Sequence, residues 1–142
     1  MSVLLKDFKS IFETKVAWGD QDAAQHVNNI MYLRYAESAR IQYMDDIGLG
    51  FHKGGDNIIL ADTYVKFIYP LTYPDKIWVG TRCMMETIDE ISFKTEQIIV
   101  SQRYNKVAAI ITAKIVCYDY EKLQKSSWSP TTIDAIRRFE QD

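Results

Sequence analysis

Between Ile58 and Tyr120 the chain holds four runs rich in Val, Ile, Thr, Tyr and Phe: Ile58–Tyr69, Lys76–Ile88, Ile91–Arg103 and Val107–Tyr120. The breaks between them are short: Pro70 to Pro74-Asp75, then Asp89-Glu90, then Tyr104-Asn105-Lys106. Parallel pairing needs a crossover of about a dozen residues or more, so breaks of this length predict antiparallel hairpins. Each run also exceeds the usual five or six residues of a strand. A long, curved sheet that wraps around another element is the economical expectation.

The upstream sequence supplies that element. Ile11 to Trp18 alternates, with Phe12, Thr14, Val16 and Trp18 on one face and Glu13 and Lys15 on the other, which predicts a half-buried strand. A polar loop, Gly19 to His26, follows without periodicity. The period then changes: Tyr32, Tyr35, Ala36, Ala39, Tyr43 and Ile47 form one stripe of an α-helix of about five turns. Asn28 suits the N-cap, and Gly48 and Gly50 suit the end. Residues 51–57 read as a glycine-containing loop. Ser129-Pro130 predicts a second, shorter helix with Ile133, Ile136 and Phe139 at helical spacing. One apolar-striped helix must be buried against a sheet, so the class is α+β. One sheet around one helix leaves apolar surface and open edges, which predicts a homo-oligomer.

Composition narrows the function. At 142 residues, with 47% hydrophobic and 13% aromatic residues, the chain reads as a single domain over 1–142. The net charge is −2 and no Lys/Arg run exists, so a nucleic-acid partner is not expected. Cys83 and Cys117 sit in apolar, β-like surroundings and read as small core residues. The first residues lack the basic and apolar pattern of a signal peptide, and no apolar run has the length of a membrane span. A cytoplasmic protein without a membrane partner is expected.

The densest polar constellation runs from Trp18 to Asn29, with two carboxylates, a histidine and four amides between the first strand and the long helix. The first N–H groups of a helix lack intrahelical partners and carry partial positive charge. A thioester carbonyl aimed at them would find an oxyanion donor, and Asn29 could supply that N–H. Asp22, a few residues upstream, could attack the carbonyl carbon or activate a water as general base.

These residues carry a resemblance. Trp18-Gly-Asp-Gln-Asp22, His26-Val-Asn-Asn29, Tyr32-Leu-Arg-Tyr35 and Glu37-Ser-Ala-Arg40 closely resemble the 4-hydroxybenzoyl-CoA thioesterase branch of the hot-dog superfamily, and also the plant acyl-ACP thioesterases. A weaker likeness includes Ser92-Phe93, and the order of elements agrees along nearly the whole chain. The resemblance implies a hot-dog fold, a long antiparallel sheet wrapped around one central helix. It implies hydrolysis of an acyl-CoA or acyl-ACP, with coenzyme A as part of the substrate and no separate cofactor. It assigns Asp22 as the catalytic carboxylate, Asn29 as the backbone N–H donor, and His26 as the plant enzymes' active-site histidine. Ser92 marks the position near which the family binds coenzyme A. Homodimers paired edge to edge, and tetramers built from them, are implied as well.

Two positions depart from the pattern. Ala24 stands where the plant enzymes carry an asparagine, so their Asp, Asn and His set is incomplete. Asp89 and Glu90 stand where the hydroxybenzoyl enzyme carries phosphate-binding arginines, which leaves Lys94, Arg103 and Lys66 as substitutes. Plainer roles stand beside the catalytic ones. Asp20 can bond loop amides; His26 can hold the turn or tune Asp22. Asp20, Asp22 and His26 fall short of a usual catalytic metal set, and no metal is expected. The helix tyrosines, Trp78, Met84 and Met85 read as packing. Competing functions are an acyl-ACP thioesterase, a dehydratase of the same fold, and a non-catalytic acyl-CoA-binding module.

Overall fold

A computed structural model describes residues 2–49 and 55–141. Strand β1 (Ser10–Lys15) leads through a polar loop to helix α1 (Asn29–Asp46). Four further long strands follow: β2 (Ile58–Phe67), β3 (Lys76–Met84), β4 (Ser92–Ser101) and β5 (Lys106–Asp119). A short β6 (Gln124–Lys125) and helix α2 (Pro130–Gln141) complete the order. All pairings are antiparallel, in the sheet order β1-β3-β4-β5-β2, with β6 added to β5.

Helix α1 lies across β1, β3 and β4. All six residues of its predicted stripe are buried. They pack on alternate strand residues, Ile77 and Val79 of β3, Ile99 of β4 and Ile111 of β5 around the first half of the helix, then Cys83, Phe93 and Ile115 around the second. The residues between them point the other way, where Trp78, Ile98, Val100 and Ile110 meet Leu5 and Phe8 from the N-terminal segment. Gly80 belongs to that second face, and a Cβ there would come within 2.7 Å of the Phe8 ring. Buried Gln97 ties helix to sheet by donating to the Ala36 carbonyl at 2.9 Å and to Thr81 Oγ1 at 3.0 Å.

The caps follow the sequence expectations. Asn28 caps α1, and Gly48, at φ 89°, ends it in the left-handed region. Gly50 and residues 51–54 of the expected loop lie outside the described residues. Ser129 Oγ accepts from Thr132 N–H at the start of α2. The far end of α2 is fastened by Glu140, whose Oε2 accepts from Tyr43 Oη at 2.6 Å and Cys83 N–H at 2.7 Å.

Three expectations need correction. The break at Pro70–Asp75 does not make a hairpin, because β2 pairs with β5 instead of β3. Two strands separate β2 from β3, a distance of about 14 Å at normal strand spacing. The eight residues Ile68–Asp75 can reach about 26 Å when extended, so they suffice for a crossover along the sheet end. Pro70 and Pro74 lack the N–H that a ladder would need. Strand β3 stops at Met84, four residues before Ile88, in a 3-10 turn over Met85–Thr87. There Thr87 Oγ1 donates to Met84 O and accepts from Lys94 N–H, in place of the ladder. Strand β1 ends at Lys15, so Trp18 is not a strand residue; it opens a 3-10 turn and is 70% exposed.

Candidate active site

The loop after β1 is built in two steps. Val16 N–H donates to Asp75 O at 2.9 Å, and the chain then turns through Trp18–Asp20. Asp20 Oδ2 accepts from Ala17 N–H at 2.9 Å and from Tyr35 Oη at 2.7 Å. The Asp20 carbonyl accepts from Asn28 N–H at 2.9 Å. Burial, reinforced by the bond to the Asp20 carboxylate and its charge, raises the Tyr35 phenol far above its ordinary pKa. Asp20 therefore braces the loop against α1.

Residues 21–27 fold back on themselves. Gln21 bridges Val27, Asp22 N–H donates to His26 O at 2.9 Å, and Gln25 N–H donates to Asp22 O at 3.0 Å. Gln25 closes the turn at φ 62°, a left-handed conformation that L side chains other than Asn and Asp adopt rarely. Asp22 Oδ1 accepts from Ala24 N–H at 2.9 Å. Its other oxygen and the His26 ring make no hydrogen bond among the described residues. His26 thus holds the turn through its backbone while its side chain stays free.

The helix start is equally selective. Asn28 Oδ1 accepts from Ile30 N–H at 3.0 Å, and Asn28 O accepts from Met31 N–H at 2.9 Å. Between the satisfied amides of Asn28 and Ile30, Asn29 N–H has no acceptor among the described residues. It is an open donor at the positive end of α1.

Asp22, His26 and Asn29 line one cleft of about 290 Å³. Its apolar wall runs from Tyr32 to Phe67, Ile68, Tyr69 and Pro70. The Tyr32 ring meets Phe67 edge-on at 5.0 Å, and Tyr32 Oη accepts from Leu71 N–H at 2.9 Å. Leu71 O in turn accepts from Val27 N–H, which pins the crossover to the loop. The three residues singled out in the sequence therefore share one opening. Asp20 does not join them, and among the described residues no three His, Cys, Asp or Glu side chains come together as metal ligands would.

Ser92 lies elsewhere. It opens β4, paired with Val116, whereas the cleft adjoins the end of β2 where Phe67 pairs with Ala109. Ala109 pairs with Ile99, seven residues beyond Ser92 and about 23 Å along the strand. Ser92 is buried, and its hydroxyl donates to Asp89 Oδ1 at 2.9 Å. Backbone N–H donation from Ile91, with that hydroxyl bond, holds the Asp89 carboxyl below its ordinary pKa. Of the expected phosphate-binding substitutes, Lys94 lies at this far end, while Lys66 and Arg103 lie toward the cleft end. Sequence reasoning did not foresee the wall from Phe67 to Pro70. Its only signal was the pair of prolines that forbids a ladder.

The comparisons with known proteins agree with this architecture. A thioesterase from Thermus thermophilus, solved with coenzyme A and zinc, superposes with a TM-score of 0.85 at 23% identity, covering 96% of this chain and 98% of that one. A DHNA-CoA thioesterase from Staphylococcus aureus gives 0.81 at 18% identity, covering 93% and 91%. A 1,4-dihydroxy-2-naphthoyl-CoA thioesterase from Synechocystis gives 0.76 at 18%, covering 89% and 93%. At these identities the likeness establishes the fold, a curled antiparallel half-barrel around a central helix, as in hot-dog thioesterases. No curated protein gives a significant sequence match. The family model of the thioesterase-like superfamily matches residues 16–136. That match takes in the loop, α1, the long strands and most of α2, and the chain belongs to the thioesterase-like superfamily.

Proposed function

We propose that this chain is an acyl-CoA thioesterase in which Asp22 and the Asn29 amide act on opposite sides of the thioester carbonyl. The observation that carries the reading is their convergence with His26 on one cleft, Asp22 with a free carboxylate oxygen and Asn29 with a free N–H. The carbonyl oxygen would accept from Asn29 N–H, where a preorganised donor is worth about 10²–10³ in rate. The free Asp22 oxygen would then either attack the carbonyl carbon or take a proton from a water that attacks. In the first route the C–S bond breaks, coenzyme A leaves as thiolate, and water hydrolyses the mixed anhydride. In the second, water adds directly and the same bond breaks. Both give free acid and thiol. His26, on the same cleft with an uncommitted ring, would tune Asp22 or steady the entering water.

The site stands open because Asp22, His26 and Asn29 are all exposed in the single chain. Strand β2 is a sheet edge whose Leu60, Tyr64 and Phe67 are exposed, and Ile30 and Leu33 of α1 are exposed as well. A second copy paired along β2 would cover these residues and deepen the cleft, so we include a homodimer, with a tetramer built on it, in the proposal.

The test is incubation of the pure protein with a panel of acyl-CoAs, following free thiol. Thiol release with at least one of them is expected. Tight binding without turnover across the panel would favour a non-catalytic binding module. Turnover confined to acyl-ACP would move the carrier assignment.

A further inference from the structure

Helix α1 is not centred on the sheet. On one flank Tyr35, Gln42 and Asp46 bond to Asp20, Ile11 and Ser10, in β1 and the loop after it. At 3.6 residues per turn, Leu33, Arg40 and Met44 fall on the opposite flank. In the sheet order β1-β3-β4-β5-β2, that flank faces β5 and β2. The helix packs mainly on β1, β3 and β4, which leaves a trough between it and β2. Leu33 is exposed on the helix side of the trough. The sheet side carries Phe67, Val65 and Thr63, alternate residues of β2, of which Phe67 meets Tyr32 and Val65 packs on the core around α1. Tyr32 and Phe67 also line the cleft, so the trough continues from it.

The trough leads to a cation that the chain does not neutralise. Arg40 is only 7% exposed, yet it joins no ion pair among the described residues, and its Nε has no hydrogen-bond partner there. Burial lowers the guanidinium pKa, and the charge of Glu37, one turn earlier, opposes that only in part. A buried charge without a partner is strongly destabilising. Its surroundings are unsatisfied as well. Four of the five buried side-chain polar atoms without a partner among the described residues are Arg40 Nε, Thr63 Oγ1, Thr95 Oγ1 and Gln97 Oε1. Thr63 and Thr95 pair with Ala113 from its two sides, and Gln97 lies two residues along the same face of β4. Gln97 Nε2 donates to Ala36 O, one turn before Arg40. Native interiors leave few such groups unpaired, so four in one place mark a polar niche that a further group completes. The lengths agree. From the Tyr32–Phe67 contact, Arg40 lies eight residues along α1, about 12 Å, and Thr63 four residues along β2, about 13 Å. The two stand level, at the far end of the trough.

We propose that the trough takes the acyl group and that Arg40 and Thr63 bind a carboxylate at its far end, so that the preferred substrates are thioesters of dicarboxylic acids. The guanidinium would donate to the carboxylate, and Thr63 Oγ1 would add a hydroxyl donor. Gln97 Oε1, an acceptor, turns an anion away from the inner end of the niche and toward Arg40 and Thr63. The methylene chain would lie against Leu33, Val65 and Phe67. Helix side chains lean toward the N-terminus, which sets the Tyr32 ring near the level of Asn29 N–H. About 12 Å then separates that donor from the guanidinium, and about 3 Å for a hydrogen bond at each end leaves about 6 Å, the span of an acyl chain of about six to eight carbons. Water cleaves the C–S bond as before, giving the diacid and the thiol. The inference rests on the thioesterase reading for the carbonyl's place at Asn29, and it adds the substrate class.

The experiment compares suberoyl-CoA with octanoyl-CoA, which carries a methyl group in place of the far carboxylate, on wild type, Arg40→Met and Thr63→Val. In wild type, kcat/KM for suberoyl-CoA should exceed that for octanoyl-CoA at least about tenfold. Arg40→Met should abolish or reverse the preference, and Thr63→Val should reduce it about fivefold. Should Arg40→Met fail to fold, Thr63→Val, which keeps the shape of the residue, decides. A wild type without the preference, or folded variants that keep it in full, overturn the proposal. So does an Arg40→Met that sediments as a monomer with the preference intact, because the partner of Arg40 is then a second copy of the chain. Calorimetric binding of the same two thioesters to Asp22→Ala, which lacks the proposed catalytic carboxylate, separates this inference from the reading beneath it. Hydrolysis of both thioesters without a preference sinks the carboxylate site alone. Tighter binding of suberoyl-CoA, with no hydrolysis by wild type, sinks the thioesterase reading and leaves the carboxylate site standing.

Discussion

Removing one oxygen from Tyr35 should loosen the loop that presents Asp22. The Tyr35 hydroxyl donates to Asp20 Oδ2 at 2.7 Å, and the same oxygen accepts from Ala17 N–H, so this carboxylate joins the loop to the second turn of α1. A hydrogen bond to a charged group contributes about 1.5–3 kcal/mol net. Asp20 is only half-buried, so water can replace part of the lost bond, and about 1–2 kcal/mol is the reasonable range for Tyr35→Phe. The phenyl ring keeps its packing and leaves no cavity, so the loss is of the hydrogen bond alone. For a chain of this length the change corresponds to about 3–6 °C in Tm. Urea unfolding at fixed protein concentration gives the stability, and a double-mutant cycle with Asp20→Asn isolates the pair, with an expected coupling of about 1 kcal/mol or more. Because Asp22 lies two residues beyond Asp20, kcat should fall while KM changes little. Wild-type stability in Tyr35→Phe, or a coupling near zero, would refute the idea that Asp20 braces this loop.

Other expectations can be checked alongside. Gly80→Ala drives a Cβ into the Phe8 ring and should cost about 1–3 kcal/mol in urea unfolding, with faster hydrogen exchange over Leu5–Phe8. Burial, with Glu140 and Glu86 nearby, pushes the Cys83 thiol up to about 12, and burial with Asp56 pushes Cys117 up to about 11. Unfolded thiols then ionise first, so stability should fall as pH rises above about 9 and go on falling through 11 to 12. Below that range neither thiol should react with a disulfide reagent until the chain unfolds. Tyr64→Lys on the β2 edge should shift sedimentation toward monomer, and an unchanged sedimentation coefficient would move the dimer contact elsewhere.

Much of the architecture was legible because its signals are local. The stripe from Tyr32 to Ile47 announces α1, Asn28 and Gly48 announce its ends, and the turns before Ser92 and Lys106 announce two hairpins. The β2–β5 pairing was not legible. It is a contact between segments some forty residues apart, and neither strand carries a mark naming its partner. In the site, the residue types and spacing pointed to Asp22 and Asn29, the resemblance added His26, and the distinct use of Asp20 followed from its position before a helix start. What spacing could not give was the orientation of each oxygen and amide, nor the wall from Phe67 to Pro70, because both depend on where the crossover runs.

In the proposed mechanism, hydrolysis depends on the free oxygen of Asp22 facing the carbonyl that the Asn29 amide would hold. Single-turnover hydrolysis of an acyl-CoA that the wild type accepts, measured in Asp22→Ala with its fold checked by circular dichroism, is the most direct trial. The predicted result is unchanged substrate binding with thiol release slowed by about 10²–10⁴. Release at the wild-type rate would contradict it.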